Sequence, residues 1–349
     1  MKTTILTIII GGITSAHSLA ARPMVGIEYT AELQTNGYNC NWINLLKPRI
    51  TQQLHPHLFV DLATISIAKS QNGRLINDLQ TFSNIEEENL PLTVSIAGFT
   101  WKSKRSMFFI GIRNVNEDYF TTPATSLFTN SSCGIFPTIS TNYHIANYPL
   151  AAIGCHCEIG IKKWLIQLSL YNGHGYCNFT GRNNLFRFCP QTDGILGITS
   201  LNYEHYGSNY HFGSILYCGK FDYETQESKK NVSGTVWGYA EQAVTSNIEL
   251  LIQYSANLSP NAWCRQYVGM GVVTRIKDAE IGLFTDYASF HGCKEWTTEF
   301  TGKISILETC YLQIALHCIK NTCLMQTAAI LRFGIVIGQG SGCNLSHTN

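Results

Sequence analysis

The feature that most constrains this chain is a two-residue alternation of apolar and polar side chains that recurs along its length. Val25, Ile27, Tyr29, Ala31 and Leu33 alternate with Gly26, Glu28, Thr30, Glu32 and Gln34. In an extended strand successive side chains point to opposite faces, so one face here is apolar and the other carries the charge. Leu92, Val94 and Ile96 alternate with Thr93, Ser95 and Ala97, and Phe108, Ile110 and Ile112 with Phe109, Gly111 and Arg113. Ala151, Ile153, Cys155, Cys157 and Ile159 face away from His156 and Glu158. Ile166, Leu168 and Leu170 alternate with Gln167, Ser169 and Tyr171. Further runs lie at 195–203, 210–221, 234–244, 248–256, 265–274, 279–288, 297–304, 308–319 and 327–337. In the last, Ala329, Leu331, Phe333, Ile335 and Ile337 oppose Arg332. Breaks such as Ser70-Gln71-Asn72-Gly73 and Tyr206-Gly207-Ser208 separate the runs. Gly and Asn tolerate positive φ, and Asn and Ser bond local backbone, so these are turns. No segment reads as a long capped amphipathic helix, and the chain is read as all-β.

Such strands suit either a soluble sandwich or a barrel whose outer face meets lipid. The N-terminus narrows the choice. Lys2, the apolar run Ile5 to Ile13, and Ser18-Leu19-Ala20 form a secretory signal cleaved after Ala20. No later stretch offers the roughly 18 apolar residues of a membrane helix, because Arg332 interrupts Ala328 to Ile337. An exported chain without a helical anchor is soluble, or it spans a membrane as a closed barrel. Charged residues make up 13% of the chain, about half the usual share. Without Lys2 the 24 basic residues fall to 23, equal to the 23 acidic ones. That neutrality argues against a nucleic-acid partner. It would also leave a soluble protein prone to associate, whereas a lipid-facing wall has no such difficulty.

The expected fold is therefore a transmembrane antiparallel β-barrel. Tilted strands of about 9–11 residues give about 16 strands after residue 20, with 14 or 18 fitting nearly as well. The expected organisation is a signal peptide over 1–20, one barrel over 21–337, and a tail over 338–349. The stretch from Asn114 to about Tyr148 lacks alternation and is rich in Asn, Thr, Ser, Pro and aromatics. Long loops of this kind are usually functional or disordered, and aromatic content favours order. The 113–150 region is expected to fold inward and narrow the lumen; an external loop with its own small elements is the alternative.

The 13 cysteines are an odd number with no recognisable disulfide spacing. Most are expected to pack as small hydrophobes, some to be bridged. Cys155-His156-Cys157 puts its cysteines on one strand face and its histidine on the other, so no metal site is expected.

Two blocks carry a family resemblance. Arg113-Asn114-Val115-Asn116-Glu117-Asp118-Tyr119-Phe120, followed by Ser126-Leu127-Phe128-Thr129-Asn130-Ser131-Ser132-Cys133-Gly134-Ile135, resembles the carbohydrate-selective porin (OprB) family. Tyr148-Pro149-Leu150, Leu170-Tyr171-Asn172-Gly173, the strand from Arg275 to Asp286, Tyr311-Leu312-Gln313 and Leu331-Arg332-Phe333-Gly334-Ile335 are similar too. The resemblance implies a 16-stranded bacterial outer-membrane barrel for passive, sugar-selective diffusion. Two departures stand out. Ile314 occupies a position where such sequences often carry Pro. Ile337 and the following tail stand where outer-membrane barrels usually end on Phe.

No Gly-x-Ser-x-Gly, His-Glu-x-x-His or phosphate-loop motif is present. Glu117 and Asp118 are adjacent, which in extended chain points them apart rather than pairing them as glycosidase carboxylates. A sugar channel requires no catalysis and no cofactor. It requires polar groups that replace water around hydroxyls, aromatic faces, and binding weak enough for release. Strand phase nominates Glu28, Glu32, Arg113, Tyr171, Tyr239, Glu241, Gln313 and Arg332 as lumen groups, and the long loop adds Asn116, Glu117, Asp118 and Tyr119. Arg113 is foremost, since a charge on the lipid face would cost roughly 2–4 kcal/mol at the midplane. The expected partners are mono- or oligosaccharides and outer-membrane lipid, with monomer and homotrimer both open. The competing reading is a secreted soluble all-β carbohydrate-binding protein or polysaccharide hydrolase.

Overall fold

The computed structural model describes residues 22–338, apart from 72, 180, 182, 183 and 220–230. The expected signal peptide and all but the first residue of the expected tail lie outside the described residues. Sixteen strands follow one another: β1 (Met24–Thr35), β2 (Cys40–His55), β3 (Leu58–Lys69), β4 (Leu90–Lys102), β5 (Ser106–Arg113), β6 (Ala152–Ile161), β7 (Trp164–Asn172), β8 (Ile195–His205), β9 (Ser208–Gly219), β10 (Asn231–Ala243), β11 (Ile248–Asn257), β12 (Cys264–Ile276), β13 (Ala279–Phe290), β14 (Cys293–Leu307), β15 (Cys310–Asn321) and β16 (Met325–Ile337). Each pairs antiparallel with its sequence neighbours, and β1 pairs with β16 to close the barrel. At that seam Glu32 lies opposite Arg332 and Thr30 opposite Gly334. Closure leaves no sheet edge with unpaired backbone groups.

The two faces of the wall are inverted relative to a water-soluble protein. Leu168, Ile252 and Phe300 point outward and are 46%, 57% and 51% exposed, while their neighbours Gln167, Gln253 and Glu299 are buried. An apolar exterior over a polar interior is the signature of a barrel in lipid. Trp101, Trp164, Tyr203 and Tyr210 lie near the short turns, with the Trp164 and Tyr203 rings 4.4 Å apart. Aromatic rows of this kind sit at the membrane–water boundary, where one end of the ring is apolar and the other wet.

Seven connections at one end are turns of two to four residues, from β2–β3 to β14–β15. The long connections, 70–89, 114–151 and 173–194 among them, all emerge at the other end. The 114–151 segment contains four single-turn helices, at 115–117, 125–127, 131–134 and 137–140.

Alternation singled out fourteen of these strands; β2 and β3 were not among them. The reason is visible on their inner face. Ile43 and Leu45 of β2 and Ile65 and Ile67 of β3 form a buried cluster with Ile85 of the 70–89 segment. Apolar side chains stand inside as well as outside, which erases the period-two contrast. Pro48 adds a break: the β2–β3 ladder resumes at Arg49 after Leu46, as expected of a residue without an N–H.

The twelve described cysteines are all unbridged, which corrects the expectation that some pair. Cys155 and Cys157 occupy the outward phase of β6 and are half-buried; Cys133 and Cys264 are fully buried.

Candidate functional site

The interior is organised by carboxylates on the wall that accept backbone amides of the long connections. Glu295 accepts from the N–H of Leu79 (3.0 Å) and Gln80 (2.9 Å). Glu299 accepts from the N–H of Thr129 (2.8 Å) and Asn130 (2.9 Å). Glu241 accepts from the Thr122 hydroxyl and from the N–H of Ala124 (3.3 Å). Two amides complete the set: Gln253 donates to the carbonyl of Cys133 (2.7 Å), and Gln313 to that of Leu127 (2.6 Å). Buried N–H groups need partners, and a turn whose N–H groups converge on one side-chain carboxyl is held against the wall that carries it.

Aromatic packing reinforces these bonds. Phe120 and Phe136 of the 114–151 segment pack on Trp237, Tyr239 and Tyr267 of the wall; the Phe120 and Trp237 rings meet edge-on at 5.0 Å. Phe120 holds a left-handed backbone (φ 67°), a conformation that bulky residues keep only when their surroundings enforce it. The 70–89 segment is seated similarly, with Ile76 and Phe82 against Ala315, Ile319, Ala328 and Ile330.

A second network sits where β5 enters the long segment. The Arg113 guanidinium donates to both Asp118 oxygens, from Nε at 2.7 Å and Nη2 at 2.5 Å, and lies over the Phe109 ring at 4.7 Å. His156 Nε2 is 3.5 Å from Asp118 Oδ1 and 3.2 Å from Glu158 Oε1. Its Nδ1 reaches Ser169 Oγ at 2.7 Å, which in turn meets the Tyr119 hydroxyl at 2.7 Å. Burial pushes the Tyr119 phenol well above its ordinary pKa, so it stays protonated and available as a donor. Asp118, His156 and Glu158 have the mutual spacing of a cation site, but Arg113 already compensates Asp118 with a fixed positive charge. The group acts as an ion-paired anchor.

Water-accessible space is left between the 114–151 segment and the wall formed by β1–β3, β15 and β16. A cavity of about 380 Å³ opens there. Glu28, Lys47, Asn84, Asn114, Asn116, Glu117 and Arg332 supply polar groups, and Tyr148 and Tyr311 supply aromatic faces. Lys47 pairs with Glu28 (3.4 Å), Arg49 with Glu117 (3.4 Å), and Arg332 with Glu32 (2.6 Å). Arg332 also donates to Asn84 Oδ1 at 2.8 Å.

The residues nominated from sequence fall into three groups. Glu28, Asn116, Glu117 and Arg332 line the cavity, with Glu32 directly behind Arg332. Arg113, Asp118, Tyr119 and Tyr171 belong to the buried anchor, where the Tyr171 hydroxyl is 3.5 Å from Asp118 Oδ2. Tyr239, Glu241 and Gln313 lie beneath the long segment and hold it. Lys47, Arg49, Asn84, Tyr148 and Tyr311 were not nominated. Lys47 and Arg49 stand on a strand whose alternation is erased, and Asn84 lies on a connection whose inward course carries no periodic signal.

A closed sixteen-stranded antiparallel barrel, apolar outside and polar inside, with its long connections packed against the inner wall, is the architecture of the outer-membrane porins. Solved structures agree. OprB of Pseudomonas putida, in its high-pH structure, superposes with a TM-score of 0.73 at 12% identity, over 90% of this chain and 94% of that one. The anion-selective porin from Comamonas acidovorans gives 0.61 at 9% identity, over 91% and 100%. The outer-membrane protein OpdK from Pseudomonas aeruginosa gives 0.52 at 8%, over 90% and 98%. The chain has an OprB-like porin fold, in agreement with the resemblance read from its 113–150 block. No protein-family model and no curated protein matches the sequence.

Proposed function

We propose that the chain is a porin of the bacterial outer membrane through which sugars diffuse passively. The observation that carries this reading is the cavity between the 114–151 segment and the β1–β3 wall. Its charged lining is balanced, Glu28 and Glu117 against Lys47 and Arg332. Such a site favours a neutral polar solute over an ion of either sign. Asn84, Asn114, Asn116 and Asn147 offer donors and acceptors that replace water around hydroxyls. Tyr148 and Tyr311 offer faces for the apolar side of a pyranose ring. The charged groups at this cavity are held in ion pairs with one another, Lys47 with Glu28 and Arg332 with Glu32, and the proposed role is transit without chemistry. The exposed apolar exterior argues against the soluble lectin or hydrolase alternative, since it would aggregate in water.

Liposome swelling with the purified full-length protein tests the proposal. Swelling rates that rank by sugar size and identity, and exceed those for matched salts of similar size, are the expected result. Faster entry of anions than of neutral sugars would replace the sugar reading with the selectivity named for the Comamonas porin. A protein that stays soluble without detergent and leaves liposomes sealed would end the channel reading.

A further inference from the structure

We propose that the Tyr148 ring partitions the pore and sets the largest solute it admits, a role that rests on the channel reading above. Two cavities meet at this residue. The inner one is the cavity of about 380 Å³ already described. The outer one, about 310 Å³, lies toward the long connections and is lined by Glu87, Glu88, Ser140, His144 and Cys177 among others. Asn147 and Tyr148 alone line both. Tyr148 is the larger of the two, which puts its ring at the boundary between the chambers.

Several contacts hold the ring in place. Its backbone N–H donates to Asn116 Oδ1 at 3.1 Å, a bond within the 114–151 segment. Its hydroxyl donates to the carbonyl of Ile85 at 3.4 Å, on the 70–89 segment. Between these points the ring packs on the cluster of Ile43, Leu45, Ile65, Ile67 and Ile85 at the β2–β3 wall. Lys47 Nζ stands 5.8 Å from the ring centroid on the inner side, within reach of a cation–π contact. The Tyr148 side chain thus ties the 114–151 segment to the 70–89 segment and to the wall.

The chambers it divides differ in charge. Two glutamates, Glu87 and Glu88, line the outer chamber, whereas the inner one is balanced. Pore diameter and lining charge together decide which solutes pass, and the ring stands where both change.

The test compares the full-length wild type with Tyr148→Ala, Tyr148→Phe and Tyr148→Trp in planar bilayers and in liposomes loaded with sugars of increasing size. Tyr148→Ala merges the chambers, so conductance is expected to rise about twofold and the largest admitted sugar to increase, because flow through a narrow pore follows its diameter. Tyr148→Phe keeps the ring and is expected to retain the wild-type size limit. Tyr148→Trp enlarges it and is expected to lower both quantities. Wild-type channels whose conductance and size limit are shared by the Ala and Trp variants would overturn the partition while leaving the channel reading intact. No channels from the wild type would overturn both. Should Tyr148→Ala fail to fold, as judged by heat-shifted electrophoretic mobility, the Phe–Trp comparison decides: equal size limits in those two would reject the role.

Discussion

Arg113 shows how a charged residue on the inward phase of a strand can anchor the interior without lining the open cavity. Its side chain is 1% exposed and its guanidinium is committed to Asp118 in a two-point pair. Removing one partner of a buried pair leaves the other charge uncompensated, at about 3–5 kcal/mol. Arg113→Ala is thus expected to lose roughly that much stability in urea unfolding from detergent. Arg113→Lys is expected to recover only part, since an ammonium cannot reproduce the planar fork. A wild-type unfolding curve for the alanine variant would remove the anchor role. Asp78, on the 70–89 segment, carries the pH dependence. It accepts from the N–H of Phe82 at 2.7 Å, and burial together with the nearby Glu295 carboxylate raises its pKa from 3.8 to about 7. A carboxyl raised in the folded state favours folding while protonated. Its contribution is complete below about pH 4 and lost as pH rises through about 7. Between pH 5 and pH 8 the melting temperature of the wild type is expected to fall more than that of Asp78→Asn. Parallel curves would show that this carboxyl does not titrate with folding.

At the scale of the element, the inner wall fits large rings beside small neighbours. The Tyr311 ring of β15 lies across Gly334 of β16, its register partner, so closely that a Cβ there would come within 2.1 Å of the ring. Trp237 of β10 lies across Gly213 of β9 in the same way. Glycine is needed at these positions for close approach, not for its backbone freedom. Since Tyr311 also lines the cavity, Gly334→Ala is expected to push the ring into the lumen and reduce single-channel conductance while the barrel stays folded. Unchanged conductance, with normal heat-shifted mobility, would show that the ring finds room elsewhere. The same scale explains what was hidden in the sequence. β1 reads clearly because Glu28 and Glu32 face in while Val25 and Ile27 face out. β2 and β3 read poorly because Ile43, Leu45, Ile65 and Ile67 face an inserted connection instead of water.

Over the whole molecule, stability depends on closure. β1 and β16, far apart in sequence, pair over Ile27–Thr35 and Ala329–Ile337. A chain ending at residue 324 lacks β16 and would expose the edges of β1 and β15 to lipid, where unpaired backbone groups cost several kcal/mol each. Such a truncation is expected to lose heat-shifted mobility and channel formation together; retention of both would mean that β1 and β15 close the barrel directly. The sequence by itself determined the class of fold, because a lipid-facing wall imposes alternation locally on nearly every strand. It also placed Glu28, Glu117 and Arg332 among the groups that meet the cavity. Only the tertiary structure decided that Arg113, Tyr239, Glu241 and Gln313 anchor the interior, that β2 carries Lys47 and Arg49 beside the open space, and that Tyr148 lines two cavities. Inward phase is a property of one strand, whereas access to water inside a barrel depends on where the connections from distant strands come to rest.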